Sequence, residues 1–145
     1  MNAFRVVARS EPSGAEAALY ADAAEKGPPA GGYRLTLLTP TPSVRVNEVV
    51  RVVHVCESVA EEAELYVMGP KPILGEYVDG VPATGSPAPG DDPFAPASYD
   101  GRVLPGPGVD TNYEVTEYAF LSPGEHTIQW RLGANVSNTL RITVR

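Results

Sequence analysis

From His126 onward the chain alternates, residue by residue, between apolar and polar side chains. His126, Ile128, Trp130 and Leu132 fall in one phase and Thr127, Gln129 and Arg131 in the other. After a turn at Gly133-Ala134-Asn135, Leu140, Ile142 and Val144 alternate with Thr139, Arg141, Thr143 and Arg145. A period of two is what a pleated strand imposes, because successive side chains leave opposite faces of the sheet. The pattern requires half-buried antiparallel sheet, and it predicts that Ile128, Trp130, Leu140, Ile142 and Val144 share one dry layer. Ser122-Pro123-Gly124-Glu125 reads as the turn before it. Tyr113 and Val115 lie in one phase and Tyr118 and Phe120 in the other, so a bulge near Thr116-Glu117 is expected to bring all four inward.

Upstream, Phe4, Val6 and Ala8 alternate with Arg5, Val7 and Arg9 as a first strand. Ser13-Gly14-Ala15-Glu16 has capping-box spacing, and the alanine-rich run after it ends at Gly27-Pro28-Pro29, which predicts one helix at about 14–26. Tyr33, Leu35 and Leu37 form a strand that Pro40 and Pro42 stop. The valine-dense run Val44–Val59 favours extended backbone, because branching at Cβ suits a pleated surface, and Asn47-Glu48 divides it. Leu65 and Val67 make a further short strand.

The stretch 69–110 differs. It holds nine prolines and eight glycines, and proline cannot donate to a sheet ladder, so 82–90 holds no central strand. A long Pro/Gly-rich excursion is expected, with a short edge strand near Gly75–Gly80.

At 145 residues one domain can bury roughly 70% of its unfolded surface, and 1–145 reads as a single soluble domain. A net charge of -7 with scattered basic residues argues against nucleic acid, which demands a concentrated basic patch. One cysteine, Cys56, excludes an intramolecular disulfide framework. No leader-like apolar segment and no membrane span is visible, so a cytoplasmic location is the default expectation.

The run from Tyr118 through Ser122-Pro123-Gly124-Glu125 and Trp130 to Val144 resembles the last strands of bacterial immunoglobulin-like or fibronectin type III-like modules. The resemblance covers residues 113–145. It implies a mainly β, antiparallel sandwich of about seven to nine strands, and it implies no activity. The Cys-Trp-Cys framework of antibody domains is absent.

His54 and Cys56 share a strand face, and with His126 they exhaust the histidine and cysteine of the chain. Such a set can ligate zinc or copper or serve a small enzyme, yet no Cys-x-x-Cys pair, nucleophile elbow or phosphate-binding glycine loop accompanies it. The expectation is therefore no catalytic residue, no cofactor and no metal, with buried core roles for these three. Asp79, Asp91, Asp92, Asp100 and Asp110 could offer oxygens to calcium, which leaves a calcium- or sugar-binding lectin-like domain as an alternative. Tyr77, Phe94 and Tyr99, with Asp91 and Asp92, are the candidate binding residues, since loop aromatics are rigid anchors. The favoured function is a non-catalytic binding or assembly module acting through the 69–110 excursion or through sheet edges, with a protein partner or self-association.

Overall fold

β-branched, alternating segments pair in this chain wherever proline does not interrupt them. The computed structural model describes residues 4–10, 14–23, 25–66, 73–86, 103–110 and 115–145. Among these the strands are β1 Phe4–Ser10, β2 Tyr33–Leu38, β3 Ser43–Val44, β4 Val49–Ser58, β5 Leu65–Tyr66, β6 Glu76–Val78, β7 Val81–Pro82, β8 Val103–Leu104, β9 Gly108–Asp110, β10 Val115–Phe120, β11 Gly124–Leu132, β12 Asn135–Val136 and β13 Leu140–Val144. Thirteen segments exceed the seven to nine expected, because several are two-residue pairings that no periodicity can announce.

Two main sheets result. The first runs β1-β10-β4-β2, with β9 also on β4; the second runs β3-β13-β11-β6-β7, with β12 on β11. A two-stranded β5-β8 pair stands apart from both. One apolar cluster joins their inner faces. From the first sheet come Leu35, Leu37, Val50, Val52, Tyr118 and Phe120; from the second come Val78, Ile128, Trp130, Ile142 and Val144. The predicted dry layer is present, with Leu140 packed at its half-buried margin.

β10 carries no bulge. Thr116, Tyr118 and Phe120 face the main core, whereas Val115 lies on the outer face in a second cluster with Tyr20, Val53 and Val55. The phase change in the sequence thus marks a strand buried on both faces. The irregularity falls instead in β1, between Val6 and Ala8.

The expected helix at about 14–26 is only one turn, α1 Gly14–Ala17, continued as a 3₁₀ turn at Ala18–Asp22. Short helices are marginal without an apolar face to bury, and this alanine-rich stretch buries one large side chain, Tyr20. Tertiary anchors set its path. Glu16 receives a bidentate pair from Arg51 (2.7 and 2.9 Å), and the Tyr20 hydroxyl donates to Glu57. Burial, then the Glu57 hydrogen bond and charge, push the Tyr20 hydroxyl up to about 12.

The excursion is partly built into the sheets. Residues 76–82 form a tight hairpin, and 108–110 pair with β4. β6 is not an edge: β11 lies on one side and β7 on the other. Asp79 and Gly80 take positive φ (52° and 77°), as a two-residue Asp-Gly hairpin loop requires.

Candidate functional site

The most unusual chemistry lies between the sheets. Glu76 on β6 is fully buried, and its carboxylate accepts from three groups of the opposite sheet: Thr116 Oγ1 (2.5 Å), the Tyr118 hydroxyl and His54 Nε2. Burial alone drives the carboxyl upward. The charge and hydrogen bond of His54, then the hydroxyls of Thr116 and Tyr118, outweigh it and hold Glu76 below the usual carboxylate range. The edge of the His54 ring meets Trp130 at 5.0 Å and 86°, while His54 Nδ1 has no hydrogen-bond partner among the described residues. The Trp130 indole donates to the Leu74 carbonyl (3.0 Å). With His54, Glu76 and Tyr118 all at 0% exposure, this cluster ties the two sheets together and has no face to offer a substrate.

A second histidine grips the same hairpin. His126 Nδ1 lies 2.6 Å from Asp79 Oδ2 and Nε2 lies 2.8 Å from the Ser122 carbonyl. Both neighbours are acceptors, a pattern matched by a ring carrying two N–H groups. Asp79 Oδ1 also accepts from the Thr127 amide (2.9 Å). Both histidines of the chain therefore hold the two carboxylates that bracket Tyr77-Val78.

This arrangement separates the sequence candidates. His54 and Cys56 do share the inner face of β4 and are buried, but His54 engages Glu76 and His126 engages Asp79. Among the described residues no group of three His, Cys, Asp or Glu side chains could hold a metal ion. Tyr77 is half-buried under the Arg131 guanidinium (4.3 Å). Asp110 is buried on β9 opposite Cys56. Asp91, Asp92, Phe94, Tyr99 and Asp100 lie outside the described residues. Glu76, Thr116 and Tyr118 escaped sequence reasoning; the one available signal was the Asp79-Gly80 hairpin dipeptide, which makes Glu76 a strand residue.

The sheet edges differ more sharply than any cavity. An open groove of about 240 Å³ is lined by Glu25, Leu37, Thr39, Asn138, Thr139 and Arg141 among others. It lies beside the outer edge of β2, which is occupied. Leu37 N–H donates to Asn138 Oδ1 (2.8 Å), and Asn138 Nδ2 donates to the Leu37 carbonyl (3.0 Å), so one side-chain amide replaces a strand neighbour. Gly27 N–H donates to Thr36 Oγ1 (3.2 Å). A Cβ at Gly27 would sit 1.8 Å from the Leu35 carbonyl oxygen, so only glycine lets the chain press this closely against β2. The Asn135 amide nitrogen, turned toward Ala30 and Tyr33, reaches their carbonyls at 2.8 and 3.2 Å.

The outer edge of β1 has no such cover among the described residues, where β1 pairs with β10 alone. Phe4 is its buried anchor, set edge-on to Tyr118 at 5.8 Å, while Val6 is 56% and Val7 37% exposed. On the same side, β7 ends the second sheet with an exposed Val81.

No family model, curated protein or solved structure matches this chain. No helix among the described residues is long and apolar enough to cross a membrane.

Proposed function

We propose that this chain is a non-catalytic binding module, immunoglobulin-like in architecture, that accepts an extended segment of a partner as an added strand along β1. The carrying observation is that, among the described residues, no strand pairs with the outer edge of β1, in a sheet whose other edge is sealed by side chains. An uncovered row of N–H and C=O groups is a template for strand addition.

The strand order supports the immunoglobulin-like part of this reading. Such sandwiches set strands A-B-E-D against C-F-G. Here β2-β4-β10-β1 faces β6-β11-β13, so each position has an occupant. The departure is the fourth: β1 comes from the start of the chain, whereas the segment between β7 and β10 would ordinarily supply it. The exposed edge is therefore made by an added element.

An NMR titration of the full chain with a neutral, alternating Thr-Val decapeptide tests the proposal. Resonances of β1 and β10 should shift first. Shifts centred on β2, or none at millimolar peptide, would end it.

A further inference from the structure

We infer that the strand accepted by β1 is acidic and belongs to another protein, not to a second copy of this chain. This rests on the edge-docking reading above and adds the chemistry of the partner.

β1 is basic in an acidic protein. Its seven residues include Arg5 and Arg9 and no acid, while the whole chain carries a net charge of -7. Arg5 is exposed and, among the described residues, makes no ion pair. On its inner edge β10 sets no acid opposite either arginine: Arg5 stands opposite Ala119 and Arg9 opposite Thr116. Opposite charges across strands stabilise a pair and like charges oppose it. That register puts Arg5 with outward-facing Ala119 and the Arg9 position with core-facing Thr116, so a partner strand with Asp or Glu at its outward, alternate positions answers Arg5.

The same charges disfavour self-pairing. Two copies of β1 placed antiparallel, edge to edge, bring four arginines and no carboxylate into one two-stranded ribbon. Between whole molecules the net charges also repel. The bulge between Val6 and Ala8 further limits edge-to-edge propagation, as bulges on edge strands commonly do. One acidic strand, added once, fits all three features.

The test compares alternating Glu-Val and Lys-Val decapeptides at low salt, with affinities read from β1 resonances. The Glu-Val peptide should bind about tenfold more tightly, and Arg5→Glu combined with Arg9→Glu should reverse the order. Arg5→Gln, a gentler change should the double variant not fold, should lower the Glu-Val preference about threefold. Equal affinities, or a Lys-Val preference, with β1 still perturbed would overturn the acidic partner and leave the docking edge standing. Shifts on β1 from neither peptide would overturn the edge itself. A concentration-dependent dimer in sedimentation, dissociated by Val6→Lys, would replace the outside partner with a second copy.

Discussion

The two edges of the first sheet solve the same problem in opposite ways. On β2, Asn138 supplies the donor and acceptor that Leu37 would otherwise lack, Gly27 lets the chain lie against Leu35, and Thr36 caps Gly27. On β1 nothing described supplies the equivalent groups, and valines stand in solvent. Burial explains the difference. Leu35 and Leu37 are at 0% exposure, where an unpaired backbone group is costly, whereas water can solvate the outer edge of β1. An edge left to water is also an edge open to a partner.

If the open side is not held by edge bonds, it must be held from within, and Glu76 is the tie. Replacing Glu76 with Ala strands His54, Thr116 and Tyr118 in a dry interior. The cost should be about 3–5 kcal/mol by urea unfolding, the range for breaking a buried charged pair. The same carboxyl sets an acid dependence. Because its folded pKa lies below the usual carboxylate range, its stabilisation is complete above the unfolded value of about 4.3. It is lost as pH falls through the folded value, where Glu76 must take up a proton to stay buried. Stability of Glu76→Ala should vary less with acid than that of the parent chain. A loss under 1 kcal/mol with an unchanged acid profile would assign the tie to the apolar core instead.

The sealed edge comes next in magnitude. Asn138→Ala leaves the Leu37 N–H and C=O buried and unpaired, at a cost of about 1–3 kcal/mol. Amide exchange at Leu37 should accelerate while that of β10 stays protected. Unchanged exchange at Leu37 would mean that something other than Asn138 closes this edge, and the contrast between the edges would lose its basis.

How far the sequence reveals this architecture depends on the range of the forces involved. The alternation of Ile128-Trp130-Leu132 and Leu140-Ile142-Val144 reports local geometry, so the strands and their shared layer were readable from it. Val115 misled because two kinds of cover act on β10, the opposite sheet on Tyr118 and Tyr20 on Val115. The helix misled because alanine propensity promises more than a segment with one large buried side chain can realise. The Glu76 tie and the Asn138 seal were out of reach: Asn138 meets Leu37 from 101 positions away, and no spacing rule links them. The open edge left only a trace, the adjacent valines Val6-Val7, which break the alternation where the bulge falls.

The smallest effect is the most discriminating, because the open-edge reading requires that little happen. Val6 is inward in register, opposite Tyr118, yet 56% exposed, so the second sheet does not cover it. Val6→Thr keeps the β-branched shape and replaces one methyl with a hydroxyl that solvent can satisfy. Stability should stay within about 0.5 kcal/mol of the parent, as for surface positions without buried partners. By contrast Phe4, two residues earlier on the same side of the strand, is 6% exposed and packs on Tyr118. A loss above about 1.5 kcal/mol at Val6 would place it among buried positions, where large effects arise from named packing defects. The edge of β1 would then be covered, and an added strand would have no place to bind.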